Sequence, residues 1–97
     1  MANIKLSYLY RDAANYKKHS FVILNNPRNK LLSEIETLIR LQLIDDTWFY
    51  ADYWNLPELL LPTFGKDDPT WHEFDELDYI EEVGKQDVDE FLRAIRN

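Results

Sequence analysis

The sequence predicts an α+β fold, with a small, largely antiparallel sheet of three to four strands and two helices. This prediction rests on two periodic patterns of apolar residues, one typical of strands and one typical of helices. Residues 3–10 alternate apolar and polar side chains with the period of a strand. Residues 33–43, the expected covering helix, and residues 87–96, an expected amphipathic C-terminal helix, repeat apolar residues at helical spacing instead. The length of 97 residues suits one domain, residues 1–97.

The first predicted element is a β-hairpin. One face of the first strand carries Ile4, Leu6, Tyr8 and Tyr10. A second apolar strand follows at residues 19–24 and stops at Asn25-Asn26-Pro27. Between the strands, Asp12 and Asn15 suit turn geometry, so we expect antiparallel pairing through a loop longer than the tightest turns.

The two predicted helices have different start signals. Ser33 and Glu36 form the pattern of a capping box, in which the serine hydroxyl accepts a hydrogen bond from the Glu36 amide and the carboxylate reaches back to the Ser33 amide. The apolar residues behind this cap are Ile35, Leu38 and Ile39, and we expect them to face the hairpin. The C-terminal helix repeats apolar residues at Val88, Phe91, Leu92 and Ile95.

The chain between these helices is less regular. Residues 47–51 have strong β-propensity and predict a third strand. Residues 52–65 contain two prolines around an apolar run and predict an irregular segment over one edge of the sheet. Residues 71–80 alternate, yet neither face is cleanly apolar, so they predict a fourth strand with mixed faces.

Charge is unevenly distributed along the chain, whose net charge is −7. Residues 1–44 hold seven bases and three acids, whereas residues 45–97 hold four bases and fifteen acids. Residues 67–82 contain eight acids and no base. Such a field repels nucleic acids and anionic membranes and attracts basic partners, although it is also what a merely solubilising surface looks like.

Catalytic and metal-binding signatures are weak in this sequence. The chain has no cysteine, which excludes disulfides and thiolate zinc sites. His72-Glu73 resembles the start of a zinc-protease helix, but Glu76 stands where the second histidine would be. A small enzyme or metal binder centred on His72 and its neighbouring carboxylates stays the alternative function, and no cofactor or metal is expected.

The aromatic residues favour protein binding instead. Fourteen aromatic side chains occur in the chain, several beside carboxylates. Because Trp and Tyr supply anchors and acids form the rim of many interfaces, we expect a non-enzymatic module that binds the basic surface of another protein. An inhibitor, an immunity-type protein or a nucleic-acid mimic would fit, and a homodimer stays open. The expected contact residues are Trp71, His72, Glu73, Asp75 and Glu76.

Two strings resemble those of small uncharacterised bacterial proteins: Tyr8–Lys17 (YLYRDAANYK) and Trp71–Phe74 (WHEF). The resemblance spans most of the chain and implies no function. It does imply that both segments belong to one scaffold, in which Arg11 could pair with a carboxylate of the later segment. The segment from Met1 to Asp12 does not have the pattern of a signal peptide, and the lack of cysteine agrees with a reducing compartment, so we expect a cytoplasmic location.

Overall fold

The computed structural model describes residues 2–62 and 64–96 and confirms the α+β class. In chain order, the elements are β1 (Asn3–Arg11), β2 (Lys17–Asn25), α1 (Leu32–Arg40), β3 (Trp48–Phe49), β4 (His72–Ile80), β5 (Gln86–Asp87) and α2 (Val88–Ile95). No helix within the described ranges is both long and apolar enough to cross a membrane.

The strands form one mixed sheet in the order β3-β4-β1-β2-β5. The pairs β1–β2, β1–β4 and β3–β4 are antiparallel, and β2–β5 is parallel. The sheet therefore has five strands, one more than the upper limit of the predicted three to four. Strand β5 contributes only two residues, Gln86 and Asp87, and so has no periodicity by which the sequence could reveal it.

The predicted hairpin is confirmed. Ile4 pairs with Leu24 and Arg11 with Lys17, and the alternation of β1 puts its four predicted core residues at zero exposure. The connecting turn is held by Asp12, whose carboxylate Oδ1 accepts a hydrogen bond from the Tyr16 amide at 2.8 Å. Asn15 adopts a left-handed conformation with a φ of 70°, which asparagine tolerates better than most residues.

Strand β4 contains a β-bulge that reverses its alternation. Its core-facing residues are His72 and Phe74 before the bulge and Leu77 after it. Tyr8 pairs with Phe74, whereas Ser7 pairs with Glu76, so Asp75 is an extra residue without a partner in β1. The bulge explains why neither face of this segment is uniformly apolar in the sequence.

Helix α1 does not use the predicted capping box. The helix begins at Leu32, one residue before Ser33, and its N-cap position is occupied by Leu31 without a side-chain hydrogen bond. A tyrosine from β4 takes over part of this role: the Leu32 amide donates a hydrogen bond to Tyr79 Oη at 3.1 Å. One of the free amides of the first turn is thereby satisfied from a distant part of the chain.

The orientation of α1 also differs from the prediction in one position. Ile35 and Ile39 are fully buried, but Leu38 is 37% exposed on another face of the helix. The helix ends at Arg40, earlier than the predicted residue 43. Helix α2 agrees better, because all four residues of its predicted apolar stripe are buried.

The core lies on one face of the sheet, beneath both helices and the irregular segment that follows β3. From that segment Ala51, Trp54, Leu56 and Leu59 are buried. The opposite face of β1 carries Lys5, Ser7 and Arg11, which are only partly buried.

Candidate functional site

His72 is a buried core residue, so its side chain does not lie on the surface where the sequence prediction placed it. Its side chain has no solvent exposure and packs among three aromatic rings. The ring centroids of Tyr8, Tyr10 and Phe49 lie 6.0, 5.2 and 6.0 Å from that of the imidazole. This histidine fills space between the sheet and the segment that covers it.

The hydrogen bond of His72 fixes its protonation state. The Leu59 amide donates to Nε2 at 2.9 Å, so Nε2 carries the lone pair and the neutral ring carries its proton on Nδ1. Among the described residues, no acceptor lies in hydrogen-bonding geometry with Nδ1, although the Thr70 carbonyl still favours the protonated ring. Burial lowers the pKa of His72 below its ordinary value of 6.5, and the weaker opposing effects of Glu58, the Thr70 carbonyl and Asp52 do not reverse this.

The lowered pKa of His72 predicts a loss of stability on mild acidification. Below pH 6.5 the unfolded chain binds a proton at this histidine that the folded chain does not bind, until the pH reaches the lower pKa of the folded state. The unfolding free energy should therefore fall with decreasing pH in this window, by up to about 1.4 kcal/mol per pH unit. Urea unfolding at several pH values between about 7.5 and 5.5 would measure this slope.

The second histidine of the chain provides a matched control. His72→Gln should reduce the slope strongly, whereas His19→Gln should leave it in place because the His19 side chain is exposed on β2. Equal slopes in wild type and His72→Gln would contradict this account of the buried imidazole.

The proposed ligands of a metal at His72 lie apart in the fold. Glu73 follows His72 in the strand, so its side chain lies on the opposite face of the sheet, where it binds Arg11. Nε2 of His72 is already occupied by the Leu59 amide. Among residues 2–62 and 64–96, no group of three or more His, Asp or Glu side chains is arranged to hold a metal ion.

The predicted contact between Arg11 and the later segment is confirmed as a bidentate ion pair. Arg11 Nε lies 2.8 Å from Glu73 Oε2, and Nη2 lies 3.3 Å from Oε1. Arg11 Nη1 also donates to Asn15 Oδ1 at 2.6 Å, which joins the hairpin turn to β4. Because Glu73 is engaged in this pair, its role is first of all structural.

Trp71 is an exposed aromatic residue immediately before β4. Its side chain is 42% exposed and packs edge to face against Trp48, with 6.4 Å between ring centroids. Trp48 pairs with Glu73 in the sheet, which puts this tryptophan pair on the face that carries the Arg11–Glu73 ion pair. Trp48 was missed in the sequence, although its position beside the buried Phe49 is what alternation predicts for the outer face of a strand.

Asp75 and Glu76 are both exposed because of the bulge. They lie between the buried residues Phe74 and Leu77, where a regular strand would have room for one outward-facing residue. Neither carboxylate forms an ion pair with any of the described residues. The bulge therefore concentrates two unpaired negative charges at one place on β4.

Four of the five predicted contact residues thus reach the surface, Glu73 only in part, and Trp48 joins them. We call this surface the acidic aromatic face and define it by Trp48, Trp71, Glu73, Asp75 and Glu76. Comparison of the chain with protein-family models, curated proteins and solved structures gave no match.

Proposed function

We propose that the protein is a non-enzymatic, cytoplasmic binding module that recognises a basic protein surface through its acidic aromatic face. The observation that carries the proposal is the Trp48–Trp71 pair, in which a half-buried residue of β3 supports an exposed residue just before β4. The bulge of β4 turns Asp75 and Glu76 to solvent a few residues further along. An inhibitor, an immunity-type protein or a nucleic-acid mimic would fit such a surface.

The aromatic pair supports an anchoring role. A partly exposed tryptophan that is held by a second aromatic ring loses little conformational freedom when a partner covers it. Trp71 meets this description, since Trp48 supports it from one side while 42% of its surface stays open. Tryptophan is also among the residue types that most often dominate the energy of an interface.

The carboxylates support recognition of a basic partner. Asp75 lies about 13 Å along the strand from Trp71, which is within the radius of one interface. The surrounding segment 67–82 has eight acids and no base, so its field attracts cationic surfaces over a longer range. Charges of this kind mainly increase the association rate, and salt weakens their effect.

The proposal predicts two different kinetic defects. Proteins captured from a lysate of the source cells on the immobilised chain would be identified by mass spectrometry, and their binding kinetics measured by surface plasmon resonance. Asp75→Lys/Glu76→Lys should slow association about tenfold at low salt. Trp71→Ala should mainly accelerate dissociation and cost about 2 kcal/mol or more of binding free energy.

Asp52→Lys/Glu58→Lys is the matched control for the double charge reversal. It changes the net charge equally, but both residues are exposed on the irregular segment that covers the core face. Circular dichroism would first establish that each variant is folded. The proposal fails if the captured partner binds independently of salt and of the substitutions on the acidic aromatic face, or if the control slows association as much.

A further inference from the structure

A groove between the two helices has the opposite charge to the rest of the protein. It encloses about 570 Å³ and is lined by Arg28, Lys30, Leu38, Leu41, Gln42, Asp89, Leu92, Arg93 and Arg96. Four of these residues are bases and one is an acid, in a chain whose net charge is −7. The groove lies apart from the acidic aromatic face, none of whose residues lines it.

The walls of the groove are two helical stripes. On α1 and the turn that follows it, Leu38, Leu41 and Gln42 follow one another at the spacing of one helix face. On α2 and the residue after it, the stripe runs from Asp89 to Arg96, over about 10 Å or two turns. The groove is therefore long enough for two turns of another helix.

Leu38 of α1 and Leu41, which caps this helix, are not explained by the core. Leu41 is 72% exposed and Leu38 is 37% exposed, whereas the core contacts of this helix come from Ile35 and Ile39. Single exposed leucines are common, but here two adjoin the floor of a groove to which the buried Leu92 also contributes. This apolar strip suits a side chain of a partner better than a small inorganic anion.

The positive charges divide into two groups. Asp89 lies 3.4 Å from Lys30 and 3.8 Å from Arg28, which compensates part of the charge at one end. At the other end, Arg93 and Arg96 form no ion pair within the described part of the chain. With no carboxylate partner among the described residues, these two guanidinium groups can pair with carboxylates of another molecule.

We propose that this groove binds an acidic amphipathic helix of another protein. Leucine-type side chains of that helix would pack on Leu38, Leu41 and Leu92, and its carboxylates would pair with Arg93 and Arg96. The mode is the insertion of a helix into a groove, with charge complementarity setting the preference for an acidic sequence. The site is independent of the acidic aromatic face, so the full chain would present one surface to a basic partner and another to an acidic one.

Two synthetic peptides of about four helical turns test the proposal on the 97-residue chain. Both carry leucines at positions i, i+3, i+4 and i+7, and their remaining positions are glutamate in one peptide and lysine in the other. Fluorescence anisotropy should show saturable binding of the glutamate peptide. NMR titration should show at least about tenfold weaker binding of the lysine peptide at the groove, because a basic peptide is expected to shift residues of the acidic aromatic face instead. NMR shift changes on titration should cluster in residues 38–42 and 89–96.

Matched variants separate the groove from general charge effects. Arg93→Glu/Arg96→Glu should weaken the binding of the glutamate peptide at least about tenfold. Lys17→Glu/Lys18→Glu makes the same charge change on the hairpin and should have little effect on this binding. Leu41→Ser should also weaken this binding. Leu31→Ser should not, because Leu31 is exposed but lies outside the groove. These variants alter exposed side chains, and circular dichroism would establish that they fold.

Three results would overturn the proposal. The first is no saturable binding of the glutamate peptide, and the second is binding that the Arg93/Arg96 variant does not change. The third is concentration-dependent self-association in sedimentation experiments that Arg93→Glu/Arg96→Glu abolishes, since the occupant would then be the acidic surface of a second copy.

Discussion

Ile39→Ala is expected to lower the unfolding free energy by about 2–5 kcal/mol, a large part of the total for a domain of this size. Ile39 is fully buried on the core-facing side of α1, together with Ile35. Truncation removes three methyl or methylene groups from a closely packed environment and leaves a cavity that its neighbours fill only in part. Urea unfolding followed by circular dichroism would measure the loss.

Leu38→Ala is the control on the same helix. The adjacent Leu38 lies on another face and is 37% exposed, so its truncation should cost about 1 kcal/mol or less. Both variants introduce alanine, which keeps the change in helix propensity small. A larger loss for Leu38→Ala than for Ile39→Ala would mean that α1 is rotated relative to the sheet.

Gly84→Ala is expected to destabilise the fold by about 3 kcal/mol, because the added methyl group has no space. An ideal Cβ at this position would overlap the Ile23 carbonyl oxygen and lie only 2.6 Å from its carbon. Relief requires the backbone itself to move. The movement would also strain the two hydrogen bonds between the Asn25 side chain and the Gly84 backbone, at 2.8 and 3.0 Å.

Gly65→Ala provides the comparison for this substitution. The nearest atom to a Cβ at Gly65 is an Asp68 side-chain oxygen at 4.0 Å, so the methyl group would enter open space. This variant should retain wild-type stability within about 0.5 kcal/mol. Thermal unfolding of both variants would measure the difference, and two equal melting temperatures would contradict the close approach of Gly84 to β2.

Local periodicity predicted the hairpin and the apolar stripe of α2, because in both places the pattern continues uninterrupted through the element. The start of α1 was predicted wrongly because its amide partner, Tyr79, lies 47 residues away and leaves no local signal. The pattern of Ser33 and Glu36 is a real local preference, but tertiary contacts set the first turn one residue earlier.

The candidate site was predictable only in part, and the bulge at Asp75 is the main reason. Uninterrupted alternation assigns Asp75 and Glu76 to opposite faces, whereas the extra residue turns both to solvent. The sequence did not predict the burial of His72 for another reason. Its partner, the Leu59 amide, belongs to an irregular segment whose path over the core has no periodic signature. A contact between Arg11 and a carboxylate of residues 71–74 was expected in advance, and the structure shows that this carboxylate is Glu73.

The position of β1 in the sheet has a consequence for the order in which the fold can form. This strand lies near the start of the chain and pairs on one side with β2, from which it is separated by a short turn. Its other neighbour is β4, so that Leu6 lies opposite Leu77. The hairpin can close locally and early, but completing the sheet requires a loop of about sixty residues to close first, and such non-local pairing is slow. During synthesis the apolar face of the hairpin therefore stays uncovered until β4 has been made and has paired with β1. In that interval the apolar side chains of the hairpin can associate with other chains.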